Sequence, residues 1–253
     1  MAAPVAASIS EAASRHTPTI YEAVIERILE HTADTRSLFL RLPVKQALIF
    51  KPGQFLSFAL PVNPHVITRP YSIASDPDDG NILEICFNLV SDGLGSRYLF
   101  DRQIGDTLRF TGPWGTFILD QIPQSETIFI ADGPGVVPMR PMIRRALMAE
   151  GDSAVQLLYS ARTIPELLYH SEWLSWVHRS DRFHFIPLLS DPPIEWRGCR
   201  GSLRDWVEHA YVQADNDRSR CFYLCGVGSQ ISMLRDLLRH AGYQRQAVHY
   251  EKW

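Results

Sequence analysis

The sequence predicts two domains: an antiparallel β-barrel, followed by an α/β domain built on a five-stranded parallel sheet. Two observations lead there. As far as roughly residue 120, short β-rich runs are separated by turns containing Pro, Gly and Asp. From about residue 126, short apolar runs without polar alternation take turns with helical patterns. A chain of 253 residues is long enough to give each half its own core.

In the first half the strand candidates are YEAVIERILEHT, TRSLFLRLP, GQFLSFALP, VITRPYSIAS, NILEICFNLV and DTLRFTGPWGTF. The first contains good helix formers, but Tyr21, Ala23 and Ile25 alternate, imperfectly, with Glu22, Val24 and Glu26, and we read it as a strand. LDQIPQSE is the expected hinge. Beyond it TIFIAD reads as a strand buried on both faces and AVQLLYSAR as another buried strand, with FHFIPLLS, CFYLCG and QAVHYEKW as further strands. The helices between them are GPGVVPMRPMIRRALMAEG, PELLYHSEWLSWVHR, SLRDWVEHAY and SQISMLRDLLRHAG. The expected boundaries are a flexible Ala/Ser-rich tail at 1–17, a barrel at 18–120 and the α/β domain at 121–253.

Composition narrows the function classes. With 45% apolar and 21% charged residues and a net charge of −3, the chain has no sustained basic run, which argues against nucleic-acid binding. No apolar stretch is long enough to span a membrane. The N-terminus lacks the basic start of a signal peptide. Cys86, Cys199, Cys221 and Cys225 form no CxxC pair, and the histidines form no HxxH or HxH pair, so no metal site is expected. Reduced thiols fit a cytoplasmic location.

Five segments carry chemistry. RPYSIAS (Arg69–Ser75) puts a guanidinium, an aromatic ring and a hydroxyl within four residues, with Pro70 fixing the backbone between them. SDGLGSRYL holds Gly93 and Gly95, with Ser96 placed to cap a short helix. IADGPGVVPMRPMI is a buried strand, a Gly-containing turn and a helix start, the local form of a dinucleotide site. SDPPIEWRGCRGSL places Ser190 and Asp191 at a strand end, and FYLCGVGSQISML places Cys225 and Gly226 at the next. The chain then finishes in HYEKW.

In this order the motifs resemble the ferredoxin–NADP reductase superfamily, the flavin-dependent, nicotinamide-oxidising reductases, from roughly Tyr21 to Trp253. The resemblance implies that the barrel binds FAD and that the α/β domain binds NADH or NADPH. It implies that Arg69 pairs with the flavin pyrophosphate, that Tyr71 lies against the isoalloxazine and that Ser72 faces its N5. Gly93, Gly95 and Ser96 complete the flavin phosphate site. Gly133, Gly135 and Val136 offer the nicotinamide cofactor its pyrophosphate site, with Pro134 standing where relatives carry threonine and Asp132 beside it.

Asp191 at the adenosine end favours NADH, because an acidic group there bonds a ribose hydroxyl and repels a 2′-phosphate; Arg162 is a further phosphate candidate. Cys225 and Gly226 correspond to the place where nicotinamide meets flavin, and Cys225 also reads as a small buried residue. Glu251 corresponds to the acidic residue of the nicotinamide pocket, and Trp253 to the terminal aromatic that covers the flavin face.

The implied activity is transfer of electrons from reduced nicotinamide through FAD to a separate ferredoxin, flavodoxin or similar acceptor. The alternative is an electron-transfer or redox-sensing subunit of a larger complex, with weak or absent NAD(P)H turnover. Trp173, Trp176 and Trp206 read as core or groove fillers. RPMIRR and Arg97, Arg102 and Arg109 read as solvated faces or part of a docking surface.

Overall fold

The computed structural model describes residues 19–252. The expected tail at 1–17 and the terminal Trp253 lie outside the described residues. The first domain consists of β1 (Ile20–Thr32), β2 (Thr35–Arg41), β3 (Phe55–Val62), β4 (His65–Ser72), β5 (Ile82–Asn88) and β6 (Thr107–Trp114), with helix α1 (Leu94–Phe100) between the last two. The strands form one six-stranded sheet in the order β4-β3-β6-β1-β2-β5. Every neighbouring pair is antiparallel. An Ile73–Ile85 bridge joins the two edge strands and closes the sheet into a barrel.

Strand β1 is in fact a strand, and its broken alternation has a local cause. Ala23 and Ile25 point into the core while Glu22, Val24 and Glu26 face out. The register with β2 then shifts between Ile25 and Arg27, so a bulge resets the phase before Ile28. Leu38, Leu40, Leu56, Phe58, Leu60, Ile85 and Phe110 fill the barrel.

The second domain contains β7 (Thr127–Asp132), α2 (Met139–Met148), β8 (Val155–Ala161), α3 (His170–Arg179), β9 (Phe183–Leu189), β10 (Cys199–Arg200), α4 (Leu203–Glu208), β11 (Cys221–Gly226), α5 (Gly228–His240) and β12 (Val248–Lys252). Its sheet is parallel throughout and runs β10-β9-β8-β7-β11-β12. It therefore has six strands and not the expected five. The extra one is two residues long, pairing Cys199 and Arg200 with Leu188 and Leu189, and sits between Gly198 and Gly201. A run that short carries no periodicity to read.

Apolar packing crosses from one domain to the other. Ala74, Cys86, Phe117 and Leu119 belong to the same buried cluster as Phe129, Val137 and Met142. Trp173 is fully buried within it and donates its indole N–H to the Leu168 carbonyl at 2.8 Å, the core role expected of it.

Two of the three arginines of RPMIRR depart from their reading as a solvated face, whereas Arg145 is exposed. Arg140 and Arg144 turn toward the barrel instead of solvent, where Arg144 pairs with Asp76 and Asp79 at 3.5 and 3.2 Å. Helix α2 buries its apolar face on the second sheet while its cationic edge meets acidic groups of the first domain. Among the described residues no helix is long and apolar enough to cross a membrane.

Candidate functional site

The order of the parallel sheet reverses between β7 and β11, the switch point at which open α/β sheets hold their ligands beyond the C-terminal strand ends. Here those ends face the barrel. A cavity of about 350 Å³ opens between the domains, walled by Phe55, Tyr71, Ser72, Cys86 and Phe87 on the barrel side. Pro134, Val137 and Glu251 form the wall opposite.

The barrel wall is built on strand β4 and its neighbours. Ser72 pairs with Phe55 across β3, and the Tyr71 ring is held edge-on by Phe58 and Phe87 at centroid distances of 5.8 and 5.2 Å. Burial pushes the Tyr71 phenol up to about 12, so it stays a neutral ring at ordinary pH. Arg69 is exposed and donates from Nη1 to the Thr68 carbonyl at 2.8 Å.

Helix α1 packs against the stem of Arg69 because Gly95 has no side chain. A Cβ there would lie 2.8 Å from Arg69 Cγ and 3.5 Å from the Tyr71 hydroxyl. Ser96 does not cap this helix; Gly93 occupies the cap position. The Ser96 hydroxyl accepts from the Val90 N–H and donates to the Gly93 carbonyl, both at 3.0 Å, which fixes the turn that precedes the helix.

The opposite wall begins where β7 ends. Gly133–Val136 makes one tight 3₁₀ turn before α2. Gly135 rests directly on the Cys225–Gly226 peptide, and a Cβ would run into the Cys225 carbonyl. Cys225 is fully buried, and burial, reinforced by the nearby Glu251 carboxylate, raises its thiol well above the usual range. Its chemistry is therefore packing, since the thiolate is the reactive form. Burial also raises Asp132, and it pushes the Glu251 carboxyl up to about 7.

Two further cavities continue the cleft. One, of about 340 Å³, shares Asn88 and Pro134 with the first and is lined by Asp132, Gly133, Ser160, Arg162, Glu166 and Ser190. Within it Glu166 holds the Arg162 guanidinium at 2.8 and 3.0 Å. Asp191 follows on the same loop, its N–H donating to the Arg162 carbonyl at 2.9 Å, but it does not line this cavity. The other, of about 450 Å³, shares Phe55 and Glu251 and is bordered by Arg239, Arg245 and Tyr250.

The fold thus brings Pro70, Tyr71, Ser72 and Glu251 to one cavity and Gly133, Arg162 and Ser190 to the next. Arg69, Gly93, Gly95 and Ser96 lie on the α1 side of β4, and Gly135 and Val136, within the 3₁₀ turn, are buried with Gly135 against the Cys225–Gly226 peptide. Sequence reasoning missed Cys86, Phe87 and Asn88 on β5 as cleft residues. The pattern of NILEICFN marks a buried strand, yet nothing local says which end of it reaches the second domain.

The residues fit a flat, anionic two-part cofactor. Aromatic rings wall the central cavity, and the Arg69 guanidinium stands on the strand that forms this wall, its stem packed against α1 where Gly95 has no side chain. These features define a two-domain flavin- and nicotinamide-dependent oxidoreductase.

Sequence comparison agrees. Residues 22–118 match the oxidoreductase FAD-binding domain family, and residues 129–236 match the oxidoreductase NAD-binding domain family. Ferredoxin–NADP reductase B of Sorangium cellulosum is 32% identical over 82% of this chain and 87% of its own length. The glycine betaine monooxygenase reductase subunit of Pseudomonas aeruginosa is 27% identical over 89% of this chain, which spans 62% of that longer protein. The crystal structure of the Amycolatopsis cytochrome P450 reductase GcoB superimposes with a TM-score of 0.82 at 26% identity, covering 94% of this chain and 71% of that one. The chain belongs to the ferredoxin–NADP reductase superfamily and is an FAD-dependent NAD(P)H reductase.

Proposed function

We propose that this reductase takes electrons from NADH and passes them through FAD to a separate one-electron acceptor of the ferredoxin or flavodoxin kind. The observation that carries the reading is the central cavity, whose two walls come from the two domains: Tyr71 and Ser72 on one side, Pro134, Val137 and Glu251 on the other. The bound flavin supplies the exchange between hydride and single-electron chemistry. The chain supplies position, because rings must be brought within about 3–3.5 Å for transfer.

In this reading Arg69, with the backbone of Gly93 and Gly95 and the turn held by Ser96, anchors the flavin diphosphate. Pro70 keeps the β4 backbone extended, Tyr71 forms one wall against the ring and Ser72 offers its hydroxyl to the reacting edge. The Gly133–Val136 turn presents backbone amides to the dinucleotide diphosphate, with Gly135 as its close-packed point. Cys225 and Gly226 back the site, and Glu251, raised by burial to about 7, can hold or release a proton beside the reacting rings near neutral pH. Ser190 and Arg162 receive the adenosine ribose, with Asp191 next to them on the rim outside the cavity.

NADH is favoured over NADPH because carboxylates dominate that end: Asp132 and Glu166 line the cavity, and Glu166 already occupies Arg162. The relatives named as a ferredoxin–NADP reductase and as an oxygenase reductase subunit support a protein acceptor.

Anaerobic mixing of the purified flavoprotein with NADH and with NADPH, in parallel, tests the donor; reoxidation by a ferredoxin and a flavodoxin tests the acceptor. Rapid bleaching of the flavin with NADH is the expected result. Retained flavin that neither nucleotide reduces would favour a redox-sensing or electron-transfer subunit, a reading that the Pro134 replacement in the turn motivates.

A further inference from the structure

Glu84 is one of the few buried charged residues among those described; its side chain, on β5, is 4% exposed. Three donors converge on its carboxylate. Oε1 accepts from the Ser37 hydroxyl at 2.6 Å and from the Tyr169 hydroxyl at 3.0 Å, and Oε2 accepts from Arg140 Nη1 at 2.6 Å. Ser37 spends its only proton on Glu84, so the 2.8 Å contact with His31 Nε2 has the histidine as donor.

Ser37 and His31 belong to the barrel, whereas Arg140 and Tyr169 belong to the second domain. Arg140 also donates to the Ala74 carbonyl at 3.2 Å and to Glu172 at 2.8 Å, and its guanidinium lies 4.4 Å from the Tyr169 ring centre. Tyr169 is held at a φ of +59°, the left-handed region that a bulky aromatic residue avoids unless its surroundings hold it there.

The placement of these contacts matters more than their number. Ala74 lies two residues beyond Ser72, and Glu84 lies two residues before Cys86; Ser72 and Cys86 both line the central cavity. Arg140 lies three residues beyond Val137, on the helix that continues from the 3₁₀ turn, and Pro134 and Val137 form the opposite wall. One guanidinium therefore grips both strands of the barrel wall from the element that carries the other wall. A displacement of Arg140 would carry the turn with it, because α2 is a rigid rod on that scale.

We infer that Glu84 and Arg140 are a positioning pair that sets the separation between the two walls of the cleft, with Tyr169 and Ser37 holding the carboxylate in register. The pair touches no reacting atom. It acts through the Gly133–Val136 turn, and its effect on transfer rests on the nicotinamide-to-flavin reading above.

The variant Glu84→Leu/Arg140→Met separates positioning from simple stability, because replacing a buried ion pair by apolar groups of similar size is commonly neutral or better for folding. The expected result is a parent-like melting temperature together with amide hydrogen exchange over residues 133–140 that is faster by about tenfold or more in the flavin-free protein. Hydride transfer in the flavin-loaded protein should slow by about tenfold while KM for the nucleotide changes by less than about threefold. A stably folded double variant with parent-like exchange and transfer would overturn the assignment.

If that variant does not fold, Arg140→Lys decides by the same readouts. An ammonium can keep Glu84 but lacks the planar fork that reaches Glu84, Ala74 and Glu172 together. Parent-like values in it would likewise overturn the pair's role. Because exchange is read without flavin, a failure of the NADH reading leaves this test standing, and a failure of the pair leaves that reading untouched.

Discussion

Glu251 on β12 sits in register beside Cys225 on β11, and both groups are desolvated, the carboxyl at the edge of the interdomain cavity and the thiol fully buried next to it. Burial raises the carboxyl to about 7. The native state thus holds this proton more tightly than the unfolded chain does. The resulting stability is fully present below the ordinary carboxyl range near 4.5 and is lost as pH rises through about 7. Its size is on the order of 1–3 kcal/mol. Glu251→Gln should flatten the fall in stability between pH 5 and 8, as measured by denaturant titration of the flavin-free protein at both pH values. A slope equal to the parent's would mean that Glu251 does not titrate in this window.

Ser72 lines the cavity through the β4 register opposite Phe55, and its hydroxyl is the small polar group of that wall. Ser72→Ala should slow flavin reduction by about tenfold or more while changing flavin affinity by less than about threefold, since one hydroxyl contributes little to uniform binding. Stopped-flow reduction and flavin titration together make the comparison. Equal reduction rates in variant and parent would remove Ser72 from the chemistry.

Gly135 holds the turn of β7 against the peptide of Cys225 and Gly226. Gly135→Ala drives a methyl into the Cys225 carbonyl, backbone against backbone, where no side chain can move aside. Loss of stability by about 1–3 kcal/mol is expected, with weaker nucleotide binding. Thermal unfolding and nucleotide titration check it, and an unchanged melting temperature would show that the turn can shift freely.

Glu166 neutralises Arg162 in the cavity at the ends of β7 and β8. Glu166→Gln should raise affinity for 2′-phosphorylated adenosine relative to the unphosphorylated form. The pair is largely exposed, so the gain is modest, about two- to fivefold. Titration with 2′,5′-ADP against 5′-AMP reads it directly. No change in the ratio would assign Arg162 to another role.

Some of these relationships were legible in the chain. Alternation located the barrel strands, even β1, where the bulge after Ile25 blurred it. Uninterrupted apolar runs located the core strands of the second sheet, and RPYSIAS marked the cleft wall. The strand Cys199–Arg200 was not legible, because two residues between glycines show no period and pair only because β9 lies alongside. Ser96 was misread as a cap because the sequence gives its type but not its position within the turn; Gly93 takes the cap and leaves the hydroxyl to the preceding loop.

The sequence by itself determined the two-domain order and the flavin and nicotinamide halves, because strand period, glycine turns and motif order are local properties. Only the tertiary structure decided what joins the halves. Arg140 and Glu84 stand 56 positions apart, and in the chain Arg140 looked like one cation of a solvated helix face. Their meeting depends on how α2 lies across the end of the barrel once the apolar seam of Ala74, Cys86, Phe117 and Met142 has closed, and no local pattern encodes the distance between two surfaces packed that way.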